Sequence, residues 1–297
     1  MNNKITKAII PAAGIGSRFL PASKSICKEM FPILDIPTIQ LIVEDAVNSG
    51  ITDIIFVLSK SKNAIADHFD YNYELEEHLK SKNKIDAFNK VRDVANLATF
   101  TFVRQKEPLG LGHAILQCKH LIQKDEKFVV LLGDNFIKPI DNNYATKQCI
   151  DASYETNSTI IGVQEVSDSD VEKFGIVKPL DKNLKIDQKP FILETVIEKP
   201  KLSEAPSNCA ILGIYVFGYN IFNEIENVKL DKSNEIQLTD AILSLALKEK
   251  VYAKNFIGKH YDIGSKLGFV KATIDIALEN EEIKDDVLEY IKKINSK

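Results

Sequence analysis

A chain of 297 residues, 44% apolar and 27% charged, can bury a substantial core in one large domain or two modest ones. A net charge of −4 excludes a general nucleic-acid binder, which would show a basic stripe, so an anionic ligand must be held by a local basic pocket. No apolar run approaches the roughly 18 residues of a membrane span. The N-terminus runs almost directly into a strand, leaving no room for a signal peptide. Four scattered cysteines (Cys27, Cys118, Cys149 and Cys209) form no Cys-x-x-Cys pair and read as reduced structural thiols of a cytoplasmic protein.

In chain order, the apolar run Lys7–Pro11 reads as a buried strand that ends in a loop of small residues. Thr38–Asn48 reads as a helix with Ile39, Ile42, Val43, Ala46 and Val47 on one face and Gly50 as its stop. Strands at Asp53–Leu58, 99–103 and 127–132 follow, with a helix over 112–122 between the last two. The polar stretch 67–96 carries Leu75, Leu79, Ile85, Phe88, Val91 and Val94 at helical spacing, which predicts a pair of surface helices inserted into the sheet topology. Beyond Ile140, a helix over 145–154 leads to strands at 159–166, 175–178, Phe191–Glu198 and 210–217, a mixed extension of the same sheet carrying a second ligand face. Helices over 237–249 and 266–278 precede an amphipathic tail, 282–294, that packs on its own domain or on another subunit. Apolar runs in place of period-2 alternation predict an α/β, Rossmann-like fold with a mixed, mainly parallel sheet flanked by helices. Without a Gly/Ser linker or internal repeat, one domain over 1–297 is expected.

The most informative stretch is Ala-Ile-Ile-Pro-Ala-Ala-Gly-Ile-Gly-Ser-Arg at 8–18. Gly14 and Gly16 let the backbone approach a ligand, clustered N–H groups bind anionic oxygens, and the Arg18 guanidinium adds a planar charged fork. Lys28 supplies a second cation, and together they read as a site for a nucleoside triphosphate. A dinucleotide fingerprint is disfavoured by Phe19 at the third glycine position and by Ser59 and Lys60 where an acidic residue is needed. A Gly-Lys-Ser/Thr phosphate loop is absent.

Asp134 ends an apolar strand in Leu-Leu-Gly-Asp-Asn, at the sheet edge where ligands bind, and is placed either to hold Mg²⁺ or to cap a loop. Asp262, before a glycine turn, is the second carboxylate or a helix cap. Glu198-Lys199-Pro200 ends a strand: the carboxylate can accept sugar hydroxyls and the ammonium can meet a phosphate, or both are solvated. His113 and His260 lack an evident nucleophile or acidic partner and read as structural.

Gly14-Ile-Gly-Ser-Arg18, Lys28-Glu-Met-Phe-Pro32, Val103-Arg-Gln105, Gly110-Leu-Gly-His113, Glu198-Lys-Pro200, Pro206-Ser-Asn208, Glu235-Ile-Gln-Leu-Thr-Asp240 and Tyr261-Asp-Ile-Gly264 occur in this order. In this set the chain resembles the bacterial UTP–glucose-1-phosphate uridylyltransferases, over nearly its whole length. The resemblance implies a fold of the nucleotide-diphospho-sugar transferase type, with about 1–140 binding nucleotide, about 141–280 binding sugar and 281–297 forming a C-terminal helix. It implies that Ala12, Ala13, Gln105 and Gly110 surround the uracil, with Gln105 bonded to the base. Gly14, Gly16, Arg18 and Lys28 would line the triphosphate, and Asp134 and Asp262 would bind Mg²⁺. Gly175 and Glu198 would meet glucose hydroxyls, Gly213 would do so through its backbone, and Lys199 would hold the sugar phosphate. UMP would pass from UTP to glucose-1-phosphate by in-line attack, giving UDP-glucose and pyrophosphate, in a dimer or tetramer.

Three positions depart from the family pattern. Asn135 stands where a second aspartate is common, and Ile214 where an arginine is frequent. Cys27 replaces a proline beside Lys28 and reads first as a small buried residue; the alternative is a thiolate favoured by the Lys28 ammonium and sensitive to oxidation. Gly-Asp-Asn also resembles the thymidylyltransferases, which makes dTTP the alternative nucleotide. A catalytically silent sugar-nucleotide sensor is the alternative outside catalysis, and a nicotinamide oxidoreductase is disfavoured by Phe19.

Overall fold

The computed structural model describes residues 4–181 and 183–296. The first half contains β1 (Lys7–Pro11), β2 (Pro32–Ile33), β3 (Ile36–Pro37), α1 (Thr38–Asn48), β4 (Asp53–Leu58), α2 (Asn63–His68), α3 (Tyr73–Ser81), α4 (Ile85–Ala95), β5 (Thr99–Arg104), α5 (Gly110–Leu116) and β6 (Lys127–Leu131). The second half contains β7 (Asn135–Lys138), α6 (Ala145–Thr156), β8 (Thr159–Glu165), β9 (Gly175–Pro179), β10 (Phe191–Glu198), β11 (Cys209–Gly218), α7 (Asn220–Asn227), α8 (Leu238–Ala246), β12 (Val251–Asn255), β13 (Lys259–Asp262), α9 (Lys266–Ala277) and α10 (Lys284–Asn295).

Nine strands form one sheet in the order β5-β4-β1-β6-β11-β8-β12-β10-β9, and β9 also touches β11. β5, β4, β1 and β6 are all parallel. β11 runs antiparallel to β6 and β8, and β10 antiparallel to β12 and β9. The expected mixed sheet is found, its parallel part concentrated in the N-terminal half.

Both faces of the central strands are covered, which is why β1, β4 and β6 read as unbroken apolar runs, whereas the edge strand β5 is largely exposed. Ala8 and Ile10 of β1 and Ile54, Phe56 and Leu58 of β4 point to the face under α1 and α6. Ile9, Ile55 and Val57 point to the other face, under α5, α7 and α8. Phe56 is fully buried, stacked 5.3 Å from Phe69 and 5.8 Å from Phe102. Burying such a side chain contributes about 1.5–3 kcal/mol.

The stretch 67–96 holds the expected helical pair, α3 and α4, with α2 just ahead of it. Asn72 caps α3 by accepting from Leu75 N at 3.1 Å, and Arg92 of α4 ties back to Glu76 at 2.6 Å. α5 starts earlier than the sequence predicts, because Gly110 enters it at φ +90, and a short 3₁₀ turn at Lys119–Leu121 replaces its last turn. The sequence reading did not anticipate α2, α7, β12, the β2–β3 pair or the ribbon of β7 with β13. That ribbon packs with Ile33 and Ala272 in a small core of its own, and its register places Asp262 opposite Asn135.

Candidate active site

The C-terminal ends of β1, β4 and β5 form a ledge. Ala12 N donates to Val57 O at 2.9 Å and Gln105 N to Leu58 O at 3.0 Å, so both residues flank the end of β4. Gln105 Nε2 lies 3.1 Å from Gly110 O and 3.0 Å from His113 Nδ1. The bond to Gly110 O fixes the amide and leaves Oε1 as its acceptor. Gly110 lies so close beneath Glu235 that a Cβ would come within 2.8 Å of it, and Ile236 N donates to Leu109 O at 2.8 Å. The Glu235–Asp240 segment thus buttresses the ledge from the other half of the chain. Ala13 and Gly14 continue it: a Cβ at Gly14 would meet nothing, and Gly16, at φ +73, is backed by the Lys28 side chain.

Asp134 stands at the end of β6 and Asp262 at the end of β13. Lys28 Nζ donates to Oδ2 of Asp134 at 2.6 Å, and Arg18 Nη1 lies 3.9 Å from Oδ2 of Asp262. A Cβ on Gly264 would fall 2.9 Å from Oδ2 of Asp134 and 3.1 Å from Oδ1 of Asp262. The two carboxylates therefore converge on a spot that only glycine leaves open. Burial works against charge at Asp134, but Lys28 and Arg18 outweigh it and hold that carboxyl below its usual range. Asp262 is pushed up, first by burial and then by the charge of Asp134. No group of three or more His, Cys, Asp or Glu side chains is gathered for a metal among the described residues. Two converging hard oxygen donors nonetheless fit a Mg²⁺-like cation, which takes one or two carboxylates and completes its shell with phosphate and water.

Beside the carboxylates opens a cleft of about 720 Å³, which Arg18, Asp134, Gly175, Glu198, Lys199 and Asp262 help to line. Glu198 faces Gly175 across β10 and β9, and a Cβ at Gly175 would come within 3.3 Å of Glu198 Oε2. Lys199 sits at φ +42 with Nζ 3.2 Å from Glu198 Oε1. A left-handed lysine is unfavourable and persists where its surroundings over-determine it, a pattern that clusters at ligand sites.

Of the residues expected from sequence, Ala12, Ala13, Gly14, Gly16, Gln105 and Gly110 form the ledge and do not line this cleft. Lys28 reaches it through Asp134. Gly213, at φ +77, stands behind Asn135, and its carbonyl accepts from Leu132 N at 2.9 Å. Asn135 is wired between Asp134, to which its Nδ2 donates at 3.3 Å, and His260, whose Nε2 lies 2.7 Å from its Oδ1. Burial lowers His260 to about 4, so the ring is neutral at pH 7 and donates to Asn135. Ile214 is buried over Gly162, while its strand still presents Tyr215 to the cleft. Tyr215 was missed, although it is the one polar-tipped side chain in the apolar run Cys209–Gly218. Cys27 is the small buried residue and not the alternative thiolate: burial pushes the thiol up, and the ammonium that acts on it is that of Lys62.

Residues 7–279 match the nucleotidyl transferase family model. The chain is 50% identical over 291 residues to UTP–glucose-1-phosphate uridylyltransferase 2 of Staphylococcus saprophyticus, covering 98% of each. It is 45% identical over 294 residues to UTP–glucose-1-phosphate uridylyltransferase of Bacillus subtilis, covering 99% of this chain and 98% of that one. The solved structure of a UTP-bound UGPase from Acinetobacter baumannii superposes with a TM-score of 0.89 at 37% identity, covering 97% of this chain and 98% of that one. On its sheet, its paired carboxylates and this likeness along its whole length, the chain belongs to the nucleotidyl transferase family and, within it, to the bacterial UTP–glucose-1-phosphate uridylyltransferases.

Proposed function

We propose that this chain transfers UMP from UTP to glucose-1-phosphate, releasing pyrophosphate and forming UDP-glucose. The observation that carries the reading is the cleft itself. On one side Arg18 and Lys28 stand beside the converging Asp134 and Asp262, and on the other lie Glu198 and Lys199. The ledge suits a pyrimidine base, because Gln105 Oε1 can accept the N–H of uracil while its amide nitrogen donates to Gly110 O. Arg18 and Lys28 meet the triphosphate, Glu198 accepts sugar hydroxyls at the Gly175 gap, and Lys199 meets the sugar phosphate. About 1–140 is assigned to nucleotide, about 141–280 to sugar and 281–297 to the C-terminal helix.

The attacking phosphate oxygen is ionised at neutral pH, so no general base is required. The neutral His260, bonded to Asn135, fits that economy. Catalysis rests on orienting two anions in line and neutralising their charge. Asp134 and Asp262 would hold Mg²⁺, which when bound supplies charge neutralisation at the phosphates.

No described helix is long and apolar enough to cross a membrane, and the four unpaired cysteines suit a reducing, cytoplasmic compartment. A homo-oligomer is supported by the row Leu267, Val270 and Ile274, exposed along α9. Pyrophosphate release from UTP and glucose-1-phosphate with Mg²⁺, run beside dTTP and an Asp134→Ala variant, tests the reading. Fast release with UTP that is lost in the variant is expected. A preference for dTTP would move the chain to the thymidylyltransferases, and UTP binding without turnover would make it a sensor.

A further inference from the structure

Behind the phosphate-binding loop lie two charges that the reaction so far leaves unused. Glu29 follows Lys28 in the 3₁₀ turn Lys28–Met30 and is 2% exposed. Lys62, in the connection between β4 and α2, is 3% exposed, and its Nζ lies 2.5 Å from Oε2 of Glu29. Glu29 is fixed on other sides too. Thr38 Oγ1 donates to its carbonyl oxygen at 2.8 Å, and a Cβ at Gly133 would meet its Cγ at 3.6 Å. The stem of Glu29 therefore packs against the residue that precedes Asp134.

An ion pair this deep is costly to desolvate and is seldom a net source of stability, so its presence calls for another role. The charges of Lys28 and Glu29 act on each other, which puts the Lys28 ammonium under the influence of two carboxylates, Asp134 and Glu29. A buried carboxylate left without a partner draws the nearest cation or takes up a proton.

We propose that Lys62 is a positioning residue for nucleotidyl transfer: by holding Glu29, it leaves Lys28 to Asp134 and the triphosphate. Lys62 touches no substrate and acts through Lys28. The proposal rests on the reading that Lys28 meets the triphosphate.

The test compares Lys62→Met, Lys62→Arg and the double variant Glu29→Gln/Lys62→Met with the parent chain. Steady-state kinetics, equilibrium binding of UTP with Mg²⁺ and thermal melting are read for each. Lys62→Met is expected to lose about 10- to 100-fold in kcat/KM for UTP, the usual cost of removing a supporting residue, with the KM for glucose-1-phosphate unchanged. Lys62→Arg keeps most of the activity. The double variant regains most of what Lys62→Met loses, because no buried carboxylate then competes for Lys28. A purely structural pair also recovers in the double variant, but in Lys62→Met it lowers the melting temperature and impairs both substrates alike. That pattern, a double variant no better than Lys62→Met, or parental kinetics in Lys62→Met overturns the proposal. If Lys62→Met does not fold, the double variant decides: folded and active supports the positioning role, folded and inactive overturns it. Binding to the parent is measured first. If the parent takes another nucleoside triphosphate, the UTP reading fails, and the same comparison with that nucleotide still decides the role of Lys62.

Discussion

The Lys28 ammonium is 2.6 Å from Oδ2 of Asp134, with only 18% of the lysine side chain exposed. An ammonium and a divalent cation would compete for that oxygen, so under the proposed reading Lys28 would be freed for the phosphates when a metal is bound. Lys28→Met is expected to turn over about 10²–10³-fold more slowly, as when one preorganised donor to developing charge is removed. The same variant should bind Mn²⁺ more tightly when no nucleotide is present, read by paramagnetic resonance titration. Unchanged Mn²⁺ affinity would show that Lys28 does not guard the carboxylate.

Gly264 makes a second handle on the same spot. Its backbone needs no left-handed conformation, so Gly264→Ala carries no strain of that kind. The new methyl would instead press on both carboxylates, at 2.9 Å and 3.1 Å. The expected result is a melting temperature close to the parent's and a Mg²⁺ requirement raised about 10- to 100-fold. A Mg²⁺ titration with the parental midpoint would show that the carboxylates do not act together.

The N-terminal half was legible because its signals are local. β1, α1 and β4 each begin and end where an apolar pattern meets polar or glycine residues, and Gly14, Gly16 and Arg18 follow β1 directly. The meeting of Asp134 with Asp262 was less so, since it depends on β7 and β13, two four-residue strands far apart in the chain. Motif resemblance paired these aspartates; spacing alone left each a cap or a ligand. Tyr215 was hidden by its apolar strand, and Lys62 by a Ser-Lys-Ser-Lys run that reads as solvated loop. Charge burial of that kind is decided by which loop folds over which, and no periodicity records it.

Under the proposed reading, Gln105 separates base recognition from the rest of the site. Gln105→Leu keeps the bulk but removes the bond to Gly110 O and the Oε1 acceptor proposed for the base. Its kcat/KM for UTP should fall about 10- to 100-fold, in the range for a lost buried hydrogen-bonding group, with the KM for glucose-1-phosphate near the parent's. An equal rise in both KM values would place Gln105 outside the base pocket.

Cys27 is 8% exposed, its Sγ is 3.6 Å from Ser61 O, and burial keeps the thiol protonated. A protonated, buried thiol reacts slowly with peroxide. Cys27→Ser and the parent should therefore lose activity at the same rate in hydrogen peroxide. Clear protection in the variant would restore the reactive cysteine.

Asp45 on α1 offers a test of stability remote from the cleft. Thr146 of α6 donates to its Oδ2, while its buried Oδ1 has no partner among the described residues. Burial raises this carboxyl to about 7, the Thr146 bond opposing only part of the shift. Because the folded pKa lies above the unfolded one, the folded chain holds a proton that the unfolded chain releases. Stability is then highest below the unfolded value and declines as pH rises toward 7. Asp45→Asn mimics the protonated acid at every pH. It should melt higher than the parent at pH 8, by a margin no larger than about 4 kcal/mol, and the margin should close as pH falls toward 4. Melting curves of parent and variant between pH 5 and 8 check this, and parallel curves would show that Asp45 is ionised in the folded chain.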